Sequence, residues 1–314
     1  MFRSASSVFA SGVGSLSKSL SSCFRPGFSS EDDSHHGAAL DRPIFSDPVE
    51  RIASHLRALT PYQVGRSTQE ISREFNIPEA QIIKLASNEN PWVEGHARYP
   101  DEFALREAIA HQHGVSPKRV VLGNGSDEIL TLTAQIFLKK GAASVMSQYA
   151  YLAYKNASQN VGAKIIEVPA LDHGNDLVAL AEAVRQHDAR VVWVANPNNP
   201  TGTFIQSPAL CDFLNAVPRD VVVVLDEAYW DYLPDHQRFS HVPWLDQHPN
   251  LVIAKTFSKI HGLAGHRIGY ALMPEKMASV YQSVRQTYPL QHRRPRSRAQ
   301  LAGRYRRDRA LSRA

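Results

Sequence analysis

From about residue 80 to residue 275 the sequence alternates short apolar runs with longer amphipathic segments. The apolar runs are rich in valine and nearly continuous, which is typical of strands that are covered on both faces. Six runs are candidate strands: 119–125, 142–149, 163–169, 190–196, 221–227 and 251–257. The segments between them with helical spacing are 101–114, 127–141 and 176–188. This alternation predicts an α/β domain with a mainly parallel central sheet.

Residues that directly follow the candidate strands are the first candidates for a functional site. In an open α/β sheet the parallel strands end at one edge, and ligands bind beyond that edge. The sequence places unusual polar residues at four of these strand ends.

The motif Gly-Asn-Gly-Ser-Asp-Glu at 123–128 follows the first candidate strand and opens a helix. Its glycines allow a tight turn, and the backbone N–H groups of Ser126 and Asp127 at a helix N-terminus can bind an anion. The same residues also suit an ordinary turn in which a side chain caps the helix. By itself this motif leaves both interpretations open.

Two further strand ends carry amide and carboxylate side chains. Asn199 lies in a proline- and asparagine-rich turn at 195–202, which either is only a rigid turn or presents donors to a ligand. Asp226 follows four consecutive valines, and Tyr229 is three residues further on. A carboxylate beside so apolar a strand needs a partner that keeps it charged, although a helix cap is the simpler alternative.

Lys259 lies two residues beyond the candidate strand at 251–257, and Arg267 is eight residues further along the chain. A lysine is ordinarily a surface residue. At the edge of a buried site, however, loss of hydration lowers the pKa of the amine and makes it nucleophilic toward carbonyl groups.

Together these residue types match what pyridoxal 5'-phosphate requires, namely an amine, a carboxylate for the ring nitrogen and an anion site. We expect Lys259 to bind the aldehyde and Asp226 to keep the ring nitrogen protonated. Asn199 and Tyr229 are expected to hydrogen-bond the phenolic oxygen. The expected phosphate ligands are Ser126, Asp127, Ser258 and Arg267.

The motifs and their order resemble those of fold-type I, pyridoxal-phosphate-dependent aminotransferases, and most closely the histidinol-phosphate aminotransferases. The resemblance covers about residues 47–290 and rests on LTPYQ (59–63), KLASNENPW (84–92), RYPD (98–101), GNGSDE, NPNNPTG, LDEAY (225–229) and TFSKIHGLAGHRIGY (256–270). It implies the large domain of that fold, pyridoxal 5'-phosphate as cofactor, and amino transfer between L-histidinol phosphate and 2-oxoglutarate.

The resemblance also implies roles for residues away from the strand ends. Tyr151 matches the aromatic residue that stacks on the cofactor ring, and Tyr62 matches a tyrosine that contacts the substrate. Tyr99 matches a tyrosine that reaches the cofactor phosphate of the neighbouring subunit, which implies a homodimer with shared sites. Asn88 and Asn90 lie in a segment near the substrate, and no role is assigned to them.

The composition changes abruptly after Leu290, where the family continues into a small C-terminal domain. Residues 291–314 instead hold nine arginines and one acidic residue. We therefore expect a truncated or frameshifted chain in which most of the small domain is missing, and we assign no substrate role to these arginines. The expected organisation is a leader at 1–45, an N-terminal arm at 46–80, the large domain at 81–275, the start of the small domain at 276–290 and an aberrant tail at 291–314.

Three alternatives to the histidinol-phosphate activity remain open at this stage. An aromatic-amino-acid aminotransferase and a threonine-phosphate decarboxylase-like enzyme have the same fold, and the substrate arginines that would distinguish them are not found in this sequence. A non-catalytic remnant is the third alternative, because the domain that closes over the substrate is expected to be missing.

Charge and composition narrow the expected partners to small molecules. The net charge of +5 is concentrated in the tail, which has no base-stacking aromatic residue beyond Tyr305, so nucleic acid is not an expected partner. No apolar stretch approaches the length of a membrane span. The histidines at 35, 36, 111 and 113 have no companion ligands at metal-binding spacing, so no metal is expected and they are interpreted as surface residues.

Cys23 and Cys211 show neither metal nor disulfide spacing, which favours a reducing compartment and a cytoplasmic location. The leader is Ser-rich and has no acidic residue before Glu31, so it resembles an organellar transit peptide. An organelle is the alternative location if the leader has that role, and a disordered extension is the other interpretation of it.

Overall fold

The computed structural model describes residues 45–60, 66–84, 102–287 and 290. The strands of this part are β1 (Val120–Asn124), β2 (Ala143–Ser147), β3 (Lys164–Val168), β4 (Val191–Ala195), β5 (Val222–Asp226), β6 (Leu251–Thr256) and β7 (Ile268–Leu272). Its α-helices are α1 (Ser54–Arg57), α2 (Thr68–Phe75), α3 (Phe103–His113), α4 (Ser126–Phe137), α5 (Leu152–Asn160), α6 (Leu177–Gln186), α7 (Ser207–Ala216) and α8 (Glu275–Val284). Short 3₁₀ helices span Pro48–Arg51, Glu79–Gln81, Pro117–Arg119, Trp230–Tyr232, Asp235–Gln237, Val242–Asp246 and Ala264–His266.

The described strands form one sheet in the order β1-β7-β6-β5-β4-β2-β3. β7 runs antiparallel to both of its neighbours, and the remaining strand pairs are parallel. The α/β fold class with a mainly parallel sheet is therefore confirmed. Each of the six candidate strands contains an observed strand.

The strand β7 was missed because its sequence, Ile-Gly-Tyr-Ala-Leu, was interpreted as part of the segment that follows Lys259. Gly269 breaks its apolar run, and the reason for that glycine is tertiary. A Cβ atom at this position would collide with the backbone nitrogen of Ser126. Because β7 is antiparallel to β1, its first residue Ile268 pairs with Asn124 at the carboxyl end of β1. This pairing places Arg267 beside the start of α4.

Both faces of the sheet are covered by helices, and the central strand β5 contributes to both layers. Val222 and Val224 belong to the core against α4, α5 and α8, which we call the α4 face. Val223 and Leu225 belong to the core against α6 and α7, which we call the α6 face. Side chains of a strand alternate between faces, so Asp226 continues the α4 face and the next residue turns toward the α6 face.

The segment that begins at residue 45 is attached at the amino ends of the strands, far from the edge where ligands bind. The Arg51 guanidinium pairs with Asp220 at 2.9 Å and with Asp188 at 2.8 Å, and its side chain is 3% exposed. Arg190 in turn donates to the backbone carbonyl of Arg51 at 2.9 Å. These buried contacts hold this part of the predicted N-terminal arm on the sheet.

Two expectations about individual residues are wrong. Cys211, in α7, is disulfide-bonded, because spacing along the chain does not limit which cysteines a fold brings together. His113 is partly buried, since α3 packs on the sheet and its Nε2 lies 2.9 Å from the hydroxyl of Tyr270. Burial and the nearby Lys255 lower the pKa of His113 to about 4.

Within the described residues, no helix has the length and apolar character needed to cross a membrane.

Candidate active site

A cavity of about 220 Å³ opens at the carboxyl ends of β4, β5 and β6, beside the N-terminus of α4. It brings together every predicted site residue that falls in the described part of the chain: Ser126, Asp127, Tyr151, Asn199, Asp226, Tyr229, Ser258, Lys259 and Arg267. Tyr62 and Tyr99 lie outside the described residues, as do Asn88, Asn90 and the 291–314 tail. Their predicted roles stay predictions.

One end of the cavity is built to hold an anion. Helix α4 begins at Ser126, and its N-cap Gly125 has a φ of 77°, a conformation that glycine adopts without strain. A Cβ atom at Gly125 would lie 2.5 Å from a guanidinium nitrogen of Arg267. The glycine therefore allows the arginine to approach the helix N-terminus, where backbone N–H groups and the helix dipole favour a negative charge.

Arg267 is held in this position by several contacts. The residue has a φ of 50°, which is rare for a residue with a side chain, and its carbonyl accepts from the N–H of Gly125 at 2.9 Å. Its guanidinium donates to Asp127 at 2.9 Å and to the carbonyl of Ala264 at 3.3 Å. Backbone strain of this kind is found at sites where the position of a side chain matters.

The carboxylate of Asp127 accepts its hydrogen bonds from protein side chains. It accepts from Arg267 through one oxygen and from the Tyr151 hydroxyl through the other, at 3.3 Å. The predicted phosphate contact of Asp127 is therefore available through its backbone N–H, while its side chain positions two neighbours that line the cavity.

Asp226 lines a buried part of the cavity. The residue is 5% exposed, and its carboxylate accepts from the Tyr154 hydroxyl at 2.8 Å and from the N–H of Ala228 at 3.0 Å. Burial raises the pKa of Asp226, and these two hydrogen bonds oppose that increase. A carboxylate has about four acceptor positions, so a further donor can reach Asp226 from the cavity.

Lys259 lies at the mouth of the cavity and is exposed. Its Nζ is 5.0 Å from the ring centroid of Tyr229. The predicted decrease in its pKa is wrong for this structure: a hydrogen bond with Tyr229 raises the pKa and outweighs the smaller effect of burial. Only a deeply buried amine loses enough hydration to reverse that balance.

The asparagines of the turn at 195–202 have two functions in the structure: some stabilise the turn, and one faces the cavity. Asn196 and Asn198 stabilise the turn itself, because Asn196 exchanges hydrogen bonds with Ile205 and Asn198 donates to the carbonyl of Tyr149. Asn199 instead lines the cavity and is partly buried. One asparagine of the motif is therefore placed to contact a ligand, and the other two shape the turn.

Sequence reasoning missed Tyr154, which also lines the cavity and contacts Asp226. The available signal was its spacing: Tyr151 immediately precedes α5, and Tyr154 is three residues later, on the same side of the helix. The sequence alone gave no reason to prefer a contact with Asp226 over a place in the core.

The cavity residues fit pyridoxal 5'-phosphate. Lys259 provides an accessible amine, and Asp226 provides a buried carboxylate with free acceptor positions. Arg267 and the start of α4 together form an anion site. The small cavity volume favours a compact ligand. These groups surround a single space, so one ligand can contact all of them.

Comparison with known proteins agrees with a cavity for pyridoxal 5'-phosphate, because the matches are aminotransferases. Residues 81–307 match the sequence model of the family described as aminotransferase class I and II. Histidinol-phosphate aminotransferase 1 of Dechloromonas aromatica is 45% identical over 253 residues, which are 76% of this chain and 70% of that protein. Histidinol-phosphate aminotransferase 2 of Ralstonia nicotianae is 42% identical over 249 residues, covering 74% of this chain and 66% of that protein. The chain thus spans about two thirds of the length of these relatives.

Solved structures show the same fold. The histidinol-phosphate aminotransferase of Sinorhizobium meliloti, crystallised in complex with pyridoxal-5'-phosphate, is 26% identical with a TM-score of 0.61. The alignment covers 81% of this chain and 69% of that chain. The aspartate aminotransferase of Thermus thermophilus, at 19% identity and a TM-score of 0.61, covers 83% and 75% of the two chains and shows the fold alone.

Proposed function

The chain belongs to the class I and II aminotransferases, within them to the histidinol-phosphate aminotransferases, and we propose that it transfers an amino group between L-histidinol phosphate and 2-oxoglutarate. The products are imidazole acetol phosphate and glutamate, and the reaction belongs to histidine biosynthesis. The observation that carries the proposal is the convergence of Lys259, Asp226 and Arg267 on one cavity. Curated relatives at 42–45% identity support this substrate over the aromatic and decarboxylase alternatives.

Pyridoxal 5'-phosphate is the cofactor, and when bound it supplies an electron sink for the bond that breaks at the substrate Cα. Arg267, Ser258 and the N–H groups at the start of α4 would bind its phosphate, since all of them line the cavity. Asp226 keeps its ring nitrogen protonated. Asn199 and Tyr229 would donate to the phenolic oxygen, and Tyr151 is the aromatic residue that would contact the ring.

Lys259 has two roles in this proposal. Its Nζ would hold the cofactor by condensing with the aldehyde, with loss of water, until the substrate amine displaces it. Once released, the amine would be placed to take a proton from the substrate and to return it, acting as base and then as acid. Contact with Tyr229 keeps Nζ at the mouth of the cavity, where a substrate enters.

We also propose a homodimer, in which Tyr99 reaches the cofactor phosphate of the neighbouring subunit and Tyr62 contacts the substrate. Exposed apolar side chains near the cavity support a second subunit at this surface. Leu152 is 62% exposed and directly follows Tyr151, and Tyr232 is 58% exposed with its ring 6.2 Å from that of Tyr229. Light scattering after size exclusion, with and without cofactor, measures the stoichiometry directly, and a monomer under both conditions would contradict the proposal.

The activity is tested by incubating the purified chain with cofactor, 2-oxoglutarate and one amino donor at a time. Glutamate formation from L-histidinol phosphate, exceeding that from phenylalanine at least tenfold, is the expected result. Carbon dioxide release from threonine phosphate would instead identify the decarboxylase activity. Lys259→Ala should abolish transfer, whereas Lys164→Ala, a change of an exposed lysine on β3, should leave it unchanged. Absence of every activity in a folded, cofactor-bound chain would contradict the proposal.

A further inference from the structure

Tyr154 is buried directly behind the carboxylate that faces the cavity. The residue is 1% exposed, and its hydroxyl donates to Oδ2 of Asp226 at 2.8 Å. The N–H of Ala228 donates to the other oxygen, Oδ1, at 3.0 Å. Each oxygen of Asp226 is thus oriented by one donor that carries no net charge.

The ring of Tyr154 is fixed by its neighbours. It stacks on Trp193, with ring centroids 5.2 Å apart and planes inclined by 8°, and it meets the edge of Tyr151 at 5.7 Å. Offset stacking and edge-to-face contacts are the preferred geometries of aromatic pairs. The hydroxyl therefore has little freedom to turn away from Asp226.

A chain of hydrogen bonds fixes this stack in turn. The indole N–H of Trp193 donates to Ser144 at 2.8 Å, and the Ser144 hydroxyl is 2.8 Å from that of Ser158. The Ser158 hydroxyl donates to the backbone carbonyl of Tyr154, also at 2.8 Å. The chain of contacts begins and ends at Tyr154, so the residue is positioned through both its ring and its backbone.

The hydroxyl of Tyr154 acts as a permanent donor. Burial and the nearby Asp226 raise the pKa of Tyr154 well above its ordinary value, so the phenol stays protonated. A hydrogen bond to an ionised carboxylate stabilises the charged form relative to the protonated one. The Tyr154 hydroxyl therefore opposes the increase in the Asp226 pKa that burial causes.

We propose that Tyr154 is a positioning residue for the reaction: it orients Asp226 and favours its ionised form, so that this carboxylate pairs with the protonated ring nitrogen of the cofactor. The inference rests on the proposed function, because the ring nitrogen belongs to pyridoxal 5'-phosphate. Tyr154 acts on the cofactor through Asp226.

The test uses Tyr154→Phe, which keeps the stacked ring and removes only the hydroxyl. Tyr281→Phe is the matched control, because Tyr281 is also fully buried on the α4 face and its hydroxyl pairs with Thr133 at 2.7 Å, away from the cavity. The measured quantity is the ratio of two affinities: that for pyridoxal 5'-phosphate and that for its analogue with carbon in place of the ring nitrogen. The analogue keeps the aldehyde and the phosphate but offers Asp226 nothing to pair with.

Tyr154→Phe should weaken binding of pyridoxal 5'-phosphate by about 10- to 100-fold, the effect of one hydrogen bond to a charged group. Binding of the carbon analogue should change less than about threefold. The preference of the wild-type chain for the natural cofactor should therefore largely disappear in Tyr154→Phe and persist in Tyr281→Phe. In an Asp226→Asn background, Tyr154→Phe should produce no additional loss.

An equal loss for cofactor and analogue, or an unchanged ratio, would overturn the inference. If the wild-type chain itself bound neither compound, the proposed function would fail instead, so the two failures are distinguishable. Circular dichroism of both apoprotein variants checks folding. If Tyr154→Phe does not fold, Tyr154→His is measured in its place, because it retains a planar ring and an N–H donor. Retention of the wild-type ratio there supports the inference, and loss of the ratio in a folded His variant overturns it.

Discussion

Asp226 and Glu227 are consecutive residues at the end of β5, yet they lie on opposite faces of the sheet and in opposite electrostatic surroundings. Both residues are 5% exposed. Asp226 accepts from a phenol and a backbone N–H, and burial raises its pKa. Glu227 contacts Lys255 at 2.8 Å and His241 at 2.6 Å. Burial alone would raise the pKa of Glu227, but these two partners lower it.

The difference distinguishes a carboxylate that a ligand can reach from one that is paired within the protein. Glu227 has a cationic and an imidazole partner within the protein, so its charge is compensated by the fold itself. Asp226 faces a cavity with acceptor positions to spare, and its charge is compensated fully only when a cationic ligand group arrives. Strongly perturbed carboxylates that face a cleft are candidates for function, whereas ion-paired ones in the core contribute to structure.

The largest effect on stability is expected at Glu227. Glu227→Gln removes the carboxylate that Lys255 and His241 contact on the α6 face, and breaking a buried ion pair costs about 3–5 kcal/mol of unfolding free energy. Urea denaturation of the apoprotein measures the change. Glu167→Gln is the control, because the Lys155–Glu167 pair is exposed and worth at most about 1 kcal/mol. Equal effects of the two substitutions would remove the contrast between the two faces.

Asp226→Asn should have the opposite profile, with a small change in stability and a large loss of activity. Removal of one electrostatic partner at a reacting centre costs about 10²–10³-fold in kcat. Since the folded-state pKa of Asp226 is raised, its ionisation costs stability as pH rises through that pKa, and the apoprotein variant should be no less stable than wild type at pH 8. A strongly destabilised apoprotein would show that Asp226 has a structural role as well.

Acid pH should weaken the α6 face through a further group, His113. Its pKa is lowered from an ordinary 6.5 to about 4, by burial first and then by Lys255. Its neutral form contributes stability that is complete above pH 6.5 and is lost as pH falls toward 4. His113→Gln should reduce the loss of unfolding free energy over this window by about 3 kcal/mol.

His248, whose pKa burial also lowers to about 4, should account for a remaining loss in His113→Gln. Glu227 has a lowered pKa, so its contribution is present above its ordinary value of 4.5 and is lost only at more acidic pH. The histidines therefore affect stability between about pH 6.5 and 4, and Glu227 affects it below pH 4.5. An unchanged pH profile in His113→Gln would contradict the assignment of the upper window to His113.

The smallest effect is expected at the anion end of the cavity. Arg267→Lys keeps the positive charge but loses the planar fork that matches a phosphate, so cofactor affinity should fall about tenfold. Fluorescence titration with pyridoxal 5'-phosphate measures the affinity. Arg185→Lys, on the exposed side of α6, is the control and should bind as wild type does. Unchanged affinity in Arg267→Lys would show that the N–H groups of α4 bind the phosphate without this arginine.

Sequence patterns predicted the fold because strands covered on both faces are continuous apolar runs and their order limits the connections. Eight of the nine predicted site residues in the described part of the chain could be located because strand ends of parallel sheets converge on one edge, whereas Tyr151 was predicted from the resemblance. β7 was missed, since Gly269 is required by a close approach to Ser126 that only the folded chain reveals. The roles of Tyr154 and Glu227 depend on which face each side chain meets, and the sequence gives no distance between them and their partners.

Electrostatic expectations were the least reliable because they depend on burial in three dimensions. The pKa of Lys259 was expected to fall, but the amine is exposed and its contact with Tyr229 dominates. His113 was interpreted as a surface residue, although α3 packs it against Tyr270. In both cases the sequence showed the residue type but did not reveal how deeply the side chain is buried.

The central claim is that the cavity at the ends of β4, β5 and β6 binds pyridoxal 5'-phosphate through Lys259. The most direct measurement is reduction of the purified chain with borohydride in the presence of the cofactor, followed by digestion and peptide mass spectrometry. A pyridoxyl group confined to Lys259 is the predicted result, and it should be absent from Lys259→Ala. Labelling spread over several lysines, or no labelling of a folded chain, would contradict the claim.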